Sequence, residues 1–175
     1  MQILIAIACV ILLFILLYQD FKERHFSAII LPCLFFLFVF FNISSIGLGE
    51  YLNNIKINLV STVLVFTLLS VLISLKNRKL VNITKSHFAL GDLLFYLTCC
   101  FLFSFLNYFI FFFMLTPLLT IISITIIRIM KKDLSHQIPL AGIQSGILML
   151  FFVSQIFFDF IKLNKDYQIM NLING

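Results

Sequence analysis

Charge is scarce in this sequence. Only 11% of its 175 residues are Asp, Glu, Lys or Arg, tryptophan is absent, and proline and glycine number 3 and 6. A soluble domain of ordinary composition is about 25% charged and about 45–50% apolar, whereas 62% of this chain is hydrophobic. A chain of this size builds one modest core under a large surface, so that apolar excess has no place in a water-soluble globule. A disordered tail, polar and charged by nature, is excluded as well. The four cysteines (Cys9, Cys33, Cys99, Cys100) form no CxxC pair and sit inside apolar runs. That excludes a zinc ribbon and a disulfide-stapled secreted domain, and leaves them as small hydrophobes. HExxH, a Walker loop, a G-x-S-x-G elbow and a dinucleotide fingerprint are all missing. No internal repeat or Gly/Ser linker divides the chain, so residues 1–175 read as one domain.

What is present is a series of long apolar runs, 23 phenylalanines and a mean hydropathy of +1.16. A spanning helix needs about 20 mostly apolar residues, the hydrocarbon thickness divided by the helical rise. Three such runs are continuous: about 1–18, 26–43 and 59–75. From 88 to 127 the single charge is Asp92. At about 1.5 Å per residue that stretch is roughly two hydrocarbon thicknesses long, so it must turn back once. The turn is expected near 104–108, around Asn107, giving spans of about 88–105 and 109–127. The last run is 138–161. A transmembrane barrel would alternate polar and apolar residues in short segments, which these runs do not. The expectation is an all-α, polytopic transmembrane bundle of six spans. The first run reads as a span rather than a cleaved signal, having no basic residue ahead of it and no small-residue cleavage site after it.

The net charge of +5 points to nucleic acid only until the charges are located. Lys22, Arg24, Lys76, Arg78, Lys79, Lys85, Arg128, Lys131 and Lys132 fall in loops on one side; Lys56, Lys162 and Lys165 fall on the other. The basic side is expected to be cytoplasmic, with both termini outside, and the chain to be a multi-pass membrane protein. The bilayer is then a partner, and the basic rim needs no nucleic acid to explain it.

Ionisable residues at the ends of such spans are functional candidates. Asp159, beside Lys162, reads as an interfacial charge. Asp20, at the exit of the first span, and Asp92, near the start of the fourth, are expected at similar shallow depth on the cytoplasmic side. Two carboxyls brought together in a low-dielectric setting cannot both ionise readily, so the pair shares a proton. One can then activate water while its protonated partner polarises a peptide carbonyl. A plainer reading is available for each alone: Asp20 as an ordinary interfacial charge, and Asp92 as a carboxylate at the positive end of a helix. Gly91 beside Asp92 relaxes the helix start or lets backbone or substrate approach. His25, His87 and His136 show no metal-ligand spacing, and no metal or cofactor is expected.

The segment Asp20-Phe21-Lys22-Glu23-Arg24-His25-Phe26 resembles the D-x-[KR]-x-R-x-[IV] stretch after the first span of type IV prepilin peptidases. Ala89-Leu90-Gly91-Asp92 is similar to that family's G-x-G-D motif, and Ile138-Pro139-Leu140-Ala141 to its I-P-F-[AG] segment at the last span. The resemblance covers the six-helix layout and the motif order. It implies a membrane aspartyl endopeptidase with Asp20 and Asp92 as the catalytic pair, cutting the short leader of prepilin-like proteins at the cytoplasmic face. Such an enzyme serves type IV pili or protein secretion. Ala89, Gly91, Lys22 and Arg24 would then position substrate. Ala89 stands for the motif's first glycine, Leu94 for the family's lysine, and Ser27-Ala28 for its Pro-Asn. A minimal peptidase without methyltransferase activity is implied. The alternatives are a non-catalytic membrane protein (a transporter subunit or assembly factor) and a degenerate homologue. Gly142-Ile143-Gln144-Ser145-Gly146 reads as a small-residue face for close helix packing, and Gln144 and Gln155 as inter-helix hydrogen-bonding groups. Pro32 and Pro117 are expected to kink their helices.

Overall fold

A computed structural model of the chain describes residues 2–23, 26–27, 29–78, 90–129, 140–158, 163 and 165–166. Every regular element among them is helical: α1 (Gln2–Glu23), α2 (Ile30–Ile43), α3 (Leu48–Asn77), α4 (Leu90–Cys99), α5 (Phe105–Phe109), a π-helical stretch (Ile110–Leu115), α6 (Thr116–Ile129) and α7 (Leu140–Phe158). Among them α1 and α3 are long and apolar enough to cross a membrane. His25, Lys85, His87, Pro139, Asp159 and Lys162 lie outside the described residues.

The helices pack by apolar stripes at three- and four-residue spacing, the neighbours on one helical face. On α1 the stripe is Ala6, Cys9, Leu13, Leu16 and Asp20. On α4 it includes Asp92, Phe95 and Cys99. On α7 it is Ala141, Gln144, Ser145, Leu148 and Phe152. The most extensive helix contact joins α1 to α7, and α2 and α4 pack beside them. Gly142 and Gly146 permit that contact. A Cβ at Gly146 would stand 2.9 Å from Leu17 Cδ1, and one at Gly142 2.9 Å from both Asp20 Oδ2 and Phe21 Cδ2. Close approach of this kind gives two apolar helices van der Waals contact along their shared face.

The helix α3 is longer than the apolar run 59–75. Its first part carries Glu50, Asn53, Asn54, Lys56 and Asn58, yet Tyr51, Ile55, Asn58 and Thr62 form one buried stripe along it. Glu50 lies in its first turn, where the macrodipole favours an acid. Arg78 ends it in the left-handed conformation, φ 51°. Many of its apolar residues, Val60, Val63, Leu68 and Leu72 among them, are exposed.

The chain reverses after Cys99 and re-enters helix at Phe105, so the turn comes a few residues ahead of Asn107. Pro32 falls in the first turn of α2, where a missing N–H breaks no bond, and no kink is needed there. Pro117 follows the π-helical stretch. There the N–H and Oγ1 of Thr116 both donate to the Phe111 carbonyl, which accommodates the proline within a continuous helix. Cys9, Cys99 and Cys100 are buried, and Cys33 is exposed.

Candidate aspartate site at the α7 N-terminus

Asp20 and Asp92 sit on the buried stripes of α1 and α4, so the same spacing that packs those helices turns both carboxyls inward. They are 6% and 7% exposed. Each meets the first turn of α7. The N–H of Ala141 donates to Asp92 Oδ1 at 3.1 Å, and that of Gly142 donates to Asp20 Oδ2 at 2.6 Å. The first four N–H groups of a helix have no partner within it, and the helix end carries partial positive charge. Two adjacent donors are therefore matched to two acids from different helices. Consecutive helical nitrogens are about 3 Å apart, so the two accepting oxygens lie within about 9 Å of one another.

The surroundings fix this arrangement. Gly142 has no Cβ to displace the Asp20 oxygen. A Cβ at Gly91 would approach Phe26 Cζ to 2.9 Å, so the space beside Asp92 that this glycine opens holds the Phe26 ring. The N–H of Ser27 donates to Gln19 Oε1 at 2.9 Å, tying the segment after α1 back onto it. Lys22, near the end of α1, is exposed with its Nζ 5.4 Å from the centroid of the Tyr18 ring. Arg24 and Ala89 lie outside the described residues. Of the residues named from sequence, the structure brings together Asp20, Asp92 and Gly91.

No protein-family model, curated protein or solved structure matches this chain. The site must be read from its own geometry. Sequence reasoning located both acids but not the Ala141 and Gly142 amides that hold them. Only the small residues Ala141, Gly142, Ser145 and Gly146 marked where another helix could come close.

The opposite end of the bundle holds a second polar group. Asn42 Nδ2 donates to the carbonyls of Phe101 and Leu102 at 2.6 and 2.9 Å, and Asn58 Nδ2 to those of Cys100 and Phe103 at 3.2 and 2.9 Å. Asn107 Nδ2 reaches Ser104 Oγ and the carbonyls of Leu163 and Lys165. Thr62 Oγ1 meets Tyr108 Oη and Cys100 Sγ. These groups close the reversal between α4 and α5.

Proposed function

We propose that this chain is a polytopic membrane aspartyl endopeptidase, similar to the prepilin peptidases, with Asp20 and Asp92 as its acid/base pair. The observation that carries the reading is the convergence of these two acids, remote in sequence, on neighbouring amides of one helix end. Six spans with both termini outside an inner membrane, and the basic rim facing the cytoplasm, complete the picture. In that orientation the acids face the cytoplasmic side, where the leader of a prepilin-like substrate would be cut.

The chemistry follows from a shared proton. The ionised carboxylate takes a proton from water as the oxygen attacks the peptide carbon, and the protonated partner donates to the carbonyl oxygen. Breaking the C–N bond of the tetrahedral intermediate returns a proton to the leaving amine and regenerates the half-protonated pair. The Ala141 and Gly142 amides hold the acids in place through this cycle. Neither metal nor covalent intermediate has a role in it.

A structural reading is favoured by one observation: both acids bind the start of α7 as capping groups do. Asparagine caps as well as aspartate, so substitution by asparagine separates the readings. The test is co-expression with tagged prepilin-like substrates, scored by gel shift for wild type, Asp20→Asn and Asp92→Asn. Cleavage by wild type that falls at least about a hundredfold in each variant is expected for loss of acid/base catalysis. Cleavage surviving in either variant would overturn the paired mechanism, and no cleavage of any substrate would favour the capping role.

A further inference from the structure

Gln144 is the odd member of the α7 stripe. Its side chain is fully buried, and neither Oε1 nor Nε2 has a hydrogen-bond partner. Asn42, Asn58 and Asn107 are different, since each donates to backbone carbonyls of the chain itself. A buried carboxamide without partners is costly, and in native proteins such a group calls for an explanation.

Its position supplies one. Gln144 follows the two amides that hold the aspartates by three and two residues along α7, less than one turn. Tyr96 lies one turn deeper than Asp92 along α4, is in electrostatic contact with that acid, and faces Gln144 without reaching hydrogen-bond geometry. Tyr96 also borders a cavity of about 360 Å³, lined by Thr62, Phe66, Tyr108 and Phe112 as well. A carboxamide presents one acceptor beside two donors, the complement of the C=O and N–H of a peptide. An axial offset of about 3–4.5 Å along the helix corresponds to about one residue of an extended strand at about 3.3 Å.

We propose that the Gln144 carboxamide is a substrate-positioning group. It pairs with one peptide unit of an extended strand lying between α4 and α7, and so sets a neighbouring peptide bond against Asp20 and Asp92. The cavity beyond Tyr96 gives an apolar side chain of that strand somewhere to go. This inference rests on the peptidase reading for its strand, but its test does not rest on turnover.

The variant is Gln144→Met, similar in length and without the amide. Because the Gln144 amide has no hydrogen-bond partner within the chain, the variant's melting temperature in detergent should stay the same or rise. A lowered melting temperature would overturn the proposal, since the amide would then serve the fold. Cleavage of a prepilin-like substrate should lose tenfold or more in kcat/KM, mainly through KM; unchanged kinetics would overturn the proposal and leave the peptidase reading standing. In parallel, the full chain carrying Asp20→Asn and Asp92→Asn is titrated with a synthetic peptide of basic leader followed by apolar stretch. Binding that weakens at least tenfold when Gln144→Met is added supports the positioning role even where wild type cleaves nothing, an outcome that would remove the peptidase reading alone. Neither binding nor cleavage would overturn both.

Discussion

Both ends of the bundle bury polar side chains, but they use them in opposite ways. At the reversal between α4 and α5, amides from α2 and α3 donate to carbonyls that the turn leaves without helical partners. At the other end, carboxyls from α1 and α4 accept from N–H groups that α7 leaves without helical partners. The first arrangement is neutral and closes a loop on itself. The second gathers two carboxyl groups at one helix end, which structure alone does not require, since one carboxylate caps a helix. That excess is what makes the acidic end a candidate for chemistry and the amide end a device of folding.

Breaking the amide end should have the largest effect on stability. Replacing Asn58 by leucine leaves the Cys100 and Phe103 carbonyls unpaired in a buried setting, at a cost of about 3 kcal/mol. Thermal unfolding in detergent should show it, while under the proposed peptidase function the chain that remains folded should cleave at the wild-type rate. A loss of cleavage without a loss of stability would contradict the division between the two ends.

Gly142→Ala should have an intermediate effect, of a different kind. The added Cβ would press on Asp20 Oδ2 and Phe21 at 2.9 Å, a strain of about 1–3 kcal/mol partly offset by the better helix propensity of alanine, about 1 kcal/mol. The stability loss is then about 1 kcal/mol, and cleavage falls by more than tenfold because the acid leaves its amide. Gly146→Ala sharpens the contrast. Only the flexible tip of Leu17 stands in its way, so both stability and cleavage should stay near wild type.

The effect on stability should also be small at the acids themselves. Asp20→Asn and Asp92→Asn keep an oxygen to accept from α7, so each should shift stability by less than about 1 kcal/mol, the scale of a cap exchange. Circular dichroism melts of the purified variants would measure it.

Much of the bundle was legible because apolar runs mark helices and the three- and four-residue stripes mark their inner faces. Asp20 and Asp92 continue the stripes of their own helices, so their burial follows from the same spacing that buries Leu16 and Phe95. The amide donors of Ala141 and Gly142 were not legible, because every residue but proline carries a backbone N–H. What the sequence did offer was the glycine at 142, whose missing Cβ leaves room for Asp20. The first part of α3 was missed for the reverse reason: its polar residues hide a helical stripe of Tyr51, Ile55 and Asn58 from a search for apolar runs. The reversal before Phe105 was displaced because Asn107, the polar landmark, holds the turn from within the following helix.

The most direct test of the account is whether the two acids meet in the membrane. Asp20→Cys and Asp92→Cys are combined in a chain whose four natural cysteines are replaced by alanine. A short bifunctional thiol reagent is applied to native membranes, and cross-linked peptides are identified by mass spectrometry. Leu17→Cys with Gly146→Cys serves as a control for the α1–α7 contact. The account predicts that the peptides bearing positions 20 and 92 are joined as efficiently as the control pair. A joined control with positions 20 and 92 left apart would contradict it.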